Sequence, residues 1–265
     1  MRRAVAPVNG AGGPASWPPG RGPAVTHPAD RSRPGGTSAA GSLLPARENH
    51  WSSPSHARHP LPMTSPLPLP RPSHEIRARH TPTTVTVYQA YSPRIAGPAA
   101  RDQRFPAAWK RERMTWVKPS FLWMMYRSGW ARKEGQERVL AVEVDRAGFD
   151  QALAGACLSA HHPGLHPDRD AWRAALRRSP ARVQWDPERD WRLHPLPHRS
   201  LQLGLSGEAV RRYADEWLVS VTDVTALAHA VHERVREGDE AGARELLPPE
   251  TVYVPEGGAP GWSPA

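Results

Sequence analysis

The chain has 265 residues, enough for one or two domains, a net charge of +9 and a pI near 10.5. Residues 1–80 hold +7 of that charge and residues 81–265 only +2, so the second part has no strong electrostatic footprint for DNA or RNA. No run of about 18 apolar residues is present, which excludes a membrane-spanning helix. With no secretion signal and a single cysteine, Cys157, we expect a cytoplasmic protein without a membrane partner.

Residues 1–73 have the composition of an extension rather than of a domain. Fifteen of the 31 prolines lie in residues 1–72, together with many Gly, Ser, Ala and Arg residues. Such a segment cannot bury enough apolar surface to offset the entropy of ordering it, so we predict that it is disordered. Its arginines would give non-specific binding to nucleic acid. A start of translation at Met63 is an open alternative.

The remaining sequence predicts a single globular domain over residues 74–250 and a flexible tail over 251–265. The predicted elements, in chain order, are a strand at 84–91, a helix from Pro93, a strand at 114–117, a helix from Pro119, a central strand at 138–144, helices at 148–158 and 168–178, strands at 181–186 and 199–205, a helix from 207 capped by Ser206, a strand at 219–224, and helices over 225–247 broken at Gly238. Strands and helices mix without strict alternation. This order indicates an α+β fold with a mixed, mostly antiparallel sheet flanked by helices.

Five segments together resemble a known family. In order they are TVTVYQAYSPRIA, RERMTWVKPSFLWMMYRSGWA, GQERVLAVEV, VQWDPERD and RSLQLGLSGEAVRRYADEW. They are similar to the bacterial and fungal family called domain of unknown function 4291, over roughly residues 75–235, and the tryptophan-rich segment is the most specific. The resemblance implies one compact domain and brings no reaction with it, so the site must be argued from the residues.

Polar side chains stand at or near the ends of several predicted strands. Alternate residues of a strand face the same side, so Gln89 and Lys118 each end a row that is otherwise apolar. We therefore expect the row that leads to Lys118, with Trp116, to face the core. Gln184 and Gln202 lie on two further strands among aromatic and apolar neighbours. That composition is typical of a small-molecule pocket, and a wet sheet face is the alternative for the two glutamines.

Lys118 is expected at a hinge between a strand and a helix. Pro119 keeps it out of the helical region, which would place Lys118 at the N-cap, partly exposed, beside the free N–H groups of the first turn. With the hydroxyl of Ser120, these groups would form a site for phosphate or carboxylate. A solvated lysine, or one paired with Asp186 or Glu188, is the alternative. Burial would instead lower its pKa and make it a nucleophile.

Aromatic and basic residues are interleaved between residues 109 and 130. Trp123 and Arg127 are four residues apart on the predicted helix, so the guanidinium can lie over the indole and bind an anion. A surface arginine beside a packed tryptophan is the alternative. The basic run at 110–113, between Trp109 and Trp116, could stack a base and contact phosphates, or could be a solvated loop.

Standard catalytic patterns are few. Asp186 is the best candidate for a general base because it ends a strand, and Lys118 is the other catalytic candidate. His161, His162 and His166 have no carboxylate or cysteine at metal-ligand spacing, so we expect no metal site. The usual nucleotide, hydrolase and protease motifs are absent from the sequence.

Two hypotheses follow, and whether the protein is an enzyme stays open. The first is a cytosolic enzyme or nucleotide-binding domain, distantly similar in fold to ADP-ribosyltransferases, with NAD or another nucleotide as ligand. Its anion-recognising pocket would be built from Gln89, Lys118, Ser120, Arg127, Gln184 and Gln202. The second is a non-catalytic module that binds RNA or a protein through the surface around 109–130.

Overall fold

A computed structural model of the chain describes residues 73–261, which belong to one compact unit. The predicted extension, the alternative start at Met63 and the last four residues of the predicted tail lie outside this range, apart from Ser73 itself. The α+β class is confirmed: the described residues form seven α-helices and nine strands. Between 73 and 261 the longest helix is too short and too polar to cross a membrane.

The elements of the domain have the following bounds. The strands are β1 Arg77–Ala78, β2 Thr84–Tyr91, β3 Thr115–Val117, β4 Arg138–Asp145, β5 Ala156–Leu158, β6 Ala181–Arg189, β7 Pro195–Leu205, β8 Leu218–Asp223 and β9 Thr251–Val252. The helices are α1 Pro93–Asp102, α2 Phe121–Ser128, α3 Arg146–Ala154, α4 Arg169–Arg178, α5 Glu208–Arg212, α6 Thr225–Glu237 and α7 Glu240–Leu246, and a π-helical turn, Tyr213–Trp217, follows α5 directly.

A three-stranded antiparallel sheet in the order β2-β4-β8 supplies part of the core. The predicted central position of β4 is confirmed, and its Val142 and Val144 are buried together with Val85 of β2. Gln103 covers the outer edge of β8, because its side-chain amide donates to the carbonyl of Val221 and accepts from the N–H of Val221, each at 2.9 Å. An edge strand covered in this way cannot pair with another chain at that point.

A second sheet, in the order β3-β7-β6-β5, is antiparallel except for the parallel pair β5–β6. It meets the first sheet at one backbone bridge. Tyr88 N–H donates to the carbonyl of Lys118 at 2.7 Å, and Lys118 N–H donates to the carbonyl of Tyr88 at 3.3 Å. The backbone of Lys118 is therefore held between the two sheets.

Two predicted helices differ from the structure. The helix predicted at 148–158 ends at Ala154, because residues 156–158 form β5 and pair with β6. The helix predicted from residue 207 is capped by Gly207 and not by Ser206, and its second half is π-helical. Sheet pairing and packing override local helix propensity at these points.

The folded part continues beyond the predicted boundary at residue 250. Thr251–Val252 pair with β1 as strand β9, and the following Tyr253 is fully buried. Its hydroxyl donates to Asp150 on α3. Residues 251–253 are therefore part of the folded domain, with Tyr253 in its core.

Candidate functional site

One face of the four-stranded sheet carries a group of polar side chains. Partners in register share a face, so the pairs Gln184↔Gln202, Asp186↔Ser200 and Arg182↔Gly204 place these residues side by side. Trp116 joins them opposite Gly204. We call this surface the polar sheet face, and it consists of Trp116, Lys118, Arg182, Gln184, Asp186, Ser200, Gln202 and Gly204. The other face, with Val183, Leu201, Leu203 and Leu205, is buried in the core.

The parity of β3 is the reverse of what the sequence predicted. Thr115 and Val117 face the core and are buried, while Trp116 lies half-buried on the polar sheet face. Trp116 can lie there because Gly204, its partner on β7, has no side chain: a Cβ would be 3.0 Å from the indole. Lys118, two residues further on, follows Trp116 onto the polar side.

Asp186 is held in place by two amides. Gln184 Nε2 donates to its two carboxylate oxygens at 3.1 and 3.3 Å, and Gln202 Nε2 donates to Oδ2. Gln184, Gln202 and Asp186 therefore lie together on this face. Because one glutamine lies on the same strand and the other on its neighbour, the carboxylate has a fixed orientation.

Lys118 is buried, with 5% of its surface exposed, and not partly exposed as the sequence predicted. The bridge to Tyr88 draws the residue into the sheet, and its Nζ lies 5.1 Å from the centre of the Trp123 ring. The N-cap of α2 is Ser120, whose Oγ accepts from Trp123 N–H at 3.1 Å, so Lys118 is not the cap. Among residues 73–261, the Lys118 amine has no carboxylate within salt-bridge distance and no hydrogen-bond acceptor.

The surroundings of Lys118 disfavour its charged form. Burial and, to a smaller extent, the Arg127 guanidinium lower the pKa of Lys118 to about 7, while the Asp186 carboxylate acts in the opposite direction. An amine with this pKa is partly neutral near pH 7 and can accept a proton or act as a nucleophile.

The N-terminus of α2 does not offer the predicted anion site. Phe121 N–H donates to Glu250 Oε1 at 2.7 Å, and the Ser120 hydroxyl donates to Glu188 Oε1 at 2.8 Å. The chain's own carboxyl groups thus occupy the place expected for a ligand, and Ser120 has a positioning role. Burial raises the pKa of both Glu188 and Glu250, and their mutual repulsion adds to the rise at Glu250.

A sequence model of the family described as Domain of unknown function (DUF4291) matches residues 75–253. The chain belongs to this family. No curated protein matches the chain. Every residue of the polar sheet face lies inside the matched range, so the candidate site is part of the DUF4291 domain.

Gln89 is not part of this site in the DUF4291 domain. Its Nε2 donates to Thr115 Oγ1 at 2.7 Å and to the carbonyl of Trp116 at 3.2 Å, and its Oε1 accepts from the Tyr213 hydroxyl at 2.7 Å. Both amide hydrogens and the oxygen are therefore engaged inside the core. The predicted ligand contact is a buried link between β2, β3 and the π-helical turn.

The sequence interpretation did not select several polar groups that the structure brings to the site. Ser200 Oγ, Trp123 Nε1 and Arg182 Nε are buried and have no hydrogen-bond partner in the described part of the chain. A buried donor without a partner costs free energy, so such atoms mark places where water or a ligand binds. The alternation of Ser200 with Gln202 could have revealed the first of them.

A cavity of about 520 Å³ lies at the β5 end of the same sheet, beside Cys157, His166 and Arg178. Cys157 Sγ is 3.8 Å from His166 Nε2, but burial raises the pKa of the thiol and so disfavours the reactive thiolate. The residues that line this cavity include no carboxylate that could act as a general base. We therefore assign the candidate site to the polar sheet face.

The basic run at 110–113 is less available for binding nucleic acid than the sequence suggested. Trp109 is buried, stacks on Phe105 at 4.2 Å between ring centres, and donates from Nε1 to the Tyr91 hydroxyl at 2.9 Å. Arg111 forms an ion pair with Asp215 at 2.6 Å. Trp109 thus belongs to the core and cannot stack a base.

Proposed function

We propose that the polar sheet face is the active site of an enzyme that binds a small anionic ligand such as a nucleotide. The observation that supports this most is the buried Lys118 amine, which no carboxylate of the described chain reaches within salt-bridge distance. Burial of a group that ionises, without a counter-ion or a hydrogen-bond acceptor, is unfavourable for folding. Such groups concentrate at functional sites, where a ligand supplies the missing partner.

The neighbouring residues have distinct roles in this proposal. Lys118 and Arg127 contact the anionic group of the ligand, and the half-buried Trp116 ring forms an apolar wall for its ring or base. Asp186 acts as the general base, because Gln184 and Gln202 fix the direction of its carboxylate.

NAD and the adenine nucleotides are the ligands to test first. They combine a flat base, which suits an aromatic wall, with phosphates, which suit Lys118 and Arg127. NAD is included also because the sequence suggested a fold-level similarity to ADP-ribosyltransferases. That similarity is an analogy and gives no residue a role.

The alternative, a non-catalytic RNA- or protein-binding surface around residues 109–130, has less support. Trp109, Trp123 and Trp130 are each only 6% exposed, so they are not available for stacking. Tyr126 is 39% exposed, but the Arg189 guanidinium lies 3.6 Å from its ring centre and covers one side.

Isothermal titration of the full chain with ATP, ADP, NAD, pyrophosphate and a short RNA tests the proposal. We expect one of the nucleotides or pyrophosphate to bind, and Lys118→Met to weaken that binding about tenfold or more. Lys110→Met is the matched control, because Lys110 is exposed and is not part of the polar sheet face. Binding of RNA alone, or equal affinity in both variants, would contradict the proposal.

A further inference from the structure

Lysine is rare in this chain, and one of its few lysines is buried. The sequence contains three lysines, Lys110, Lys118 and Lys133, against 32 arginines. Lys110 is exposed, and Lys133 donates from Nζ to the carbonyl of Arg127 at 2.8 Å. Lys118 alone is both buried and without an acceptor among the described residues. An arginine at this position could bind an anion as well as a lysine, but it could not act as a nucleophile. The presence of a lysine here is therefore informative.

A lysine amine has a property that a guanidinium lacks. Arginine stays protonated at all ordinary pH values, whereas a lysine that is desolvated next to another cation can lose its proton and become a nucleophile. Lys118 meets both conditions, since it is enclosed by the sheet and Trp123 and lies under the influence of Arg127.

We propose that Lys118 is a nucleophilic catalytic residue that forms an imine with the carbonyl group of an aldehyde or ketone carrying a phosphate or carboxylate. This inference rests on the proposed function, because the same site must first bind the anionic group. It adds the chemical class of the substrate, an anionic carbonyl compound, and a covalent step.

The step balances without an oxidant or reductant. The neutral amine attacks the carbonyl carbon, a C–N bond forms, and the carbonyl oxygen takes up a proton to give a carbinolamine. The carbinolamine then loses water, the C–O bond breaks, and the imine remains. Asp186 is the group on this face that can move protons between the nitrogen and the departing oxygen, because its carboxylate is held by Gln184 and Gln202.

Two buried donors suit the oxygen atom of such a substrate. Ser200 Oγ shares the polar sheet face with Asp186, and Trp123 Nε1 belongs to the ring beside the Lys118 amine. Both lack a partner in the described chain. A hydroxyl and an indole N–H can each donate to a carbonyl or carbinolamine oxygen.

Reductive trapping on the full chain tests the inference. The chain is incubated at pH 7 with 4-formylbenzoate and cyanoborohydride, which reduces an imine to a stable secondary amine, and the three lysines are then mapped by mass spectrometry. At pH 7 an exposed lysine is almost wholly protonated, so we expect Lys118 to be labelled roughly tenfold faster than Lys110, or more. Labelling of Lys118 no faster than Lys110 would overturn the inference.

The methyl ester of 4-formylbenzoate separates this inference from the proposed function. It carries the aldehyde without the charge, and because the ester makes the carbonyl more electrophilic, Lys110 serves as the reference for intrinsic reactivity. We expect the ratio of Lys118 labelling to Lys110 labelling to be lower with the ester than with the carboxylate. An equally high ratio with both aldehydes would support the imine and contradict anion recognition. Nucleotide binding without selective labelling of Lys118 would support the proposed function and contradict the imine. Because the unmodified chain is used, neither outcome depends on a variant that folds.

Discussion

The indole of Trp116 lies directly against Gly204 on the neighbouring strand. A Cβ on this glycine would stand 3.0 Å from three carbons of the ring, closer than side chains normally approach. The absence of a side chain at residue 204 thus provides the space in which Trp116 covers the polar sheet face. The wall of the candidate site depends on this single contact.

Gly204→Ala should displace Trp116. Overpacking of this kind costs roughly 1–3 kcal/mol, and we expect a loss of stability in that range together with a change in tryptophan fluorescence. Gly97→Ala is the matched control. Gly97 lies inside α1, and apart from its chain neighbours no atom stands within 4 Å of the place that the added methyl carbon would take, so this variant should show no loss of stability from overpacking against another strand or helix. Equal effects of the two substitutions in urea unfolding would contradict the role given to Gly204.

Lys118→Met should stabilise the protein at neutral pH. The folded-state pKa of Lys118 is about 7, below its usual value of 10.5, so folding at pH 7 must remove a proton or bury a charge. We expect a gain of roughly 4 kcal/mol at pH 7, from about 1.4 kcal/mol per pKa unit over the fall from 10.5 to about 7. Between pH 7 and 10 the unfolded state binds more protons, so the stability of the unmodified chain rises and the gain shrinks. Thermal unfolding of both proteins across this pH range measures the difference in stability. A difference that does not change with pH would show that the amine is not desolvated.

The reactivity of Lys118 should respond in opposite directions to its two charged neighbours. Arg127 lowers the pKa of Lys118 and Asp186 raises it. Arg127→Gln should therefore move the pH profile of aldehyde labelling at Lys118 to higher pH, and Asp186→Asn should move it to lower pH. Lys110 serves as the internal reference in each sample. Shifts of the same sign in both variants would contradict the electrostatic assignment.

Glu250→Gln should stabilise the protein above about pH 5. Burial and the nearby Glu188 raise the folded-state pKa of Glu250, so the folded state binds more protons than the unfolded state above pH 4.5 and stability falls as pH rises. A glutamine keeps the acceptor for Phe121 N–H and removes the charge. We expect a gain of about 1 kcal/mol at pH 8 that disappears near pH 4.5. Glu245→Gln, on the exposed side of α7, should show no such dependence.

Tyr213→Phe should weaken the core without affecting the site. Its hydroxyl is the donor to Gln89 Oε1, and its loss leaves a buried oxygen without a partner, at a cost of roughly 1–3 kcal/mol. Tyr126→Phe is the control, because that ring is partly exposed. We expect unfolding in urea to distinguish the two variants, while nucleotide affinity is equal in both. A loss of nucleotide affinity in Tyr213→Phe would show that Gln89 contributes to the binding site.

The local sequence pattern was sufficient to predict most of the helices and strands. Strand β2 spans 84–91 as predicted, α1 begins at Pro93 as predicted, and the break at Gly238 separates α6 from α7. Strand alternation, Pro at a helix start and Gly at a helix end act within a few residues, so they can be read without the fold. The same alternation placed Gln184 and Asp186 on one face, and this part of the candidate site follows from the sequence.

Only the tertiary structure decided which polar strand ends share a site. Gln89 and Lys118 show the same pattern in the sequence, yet Tyr213, 124 residues from Gln89, engages the glutamine in the core. Glu250, 129 residues from Phe121, occupies the helix start that was expected to bind a ligand. The burial of Lys118 likewise comes from pairing with Tyr88 on the other sheet. Alternation along one strand specifies a face, but contacts between distant segments determine whether that face is filled by the chain itself or left for a ligand.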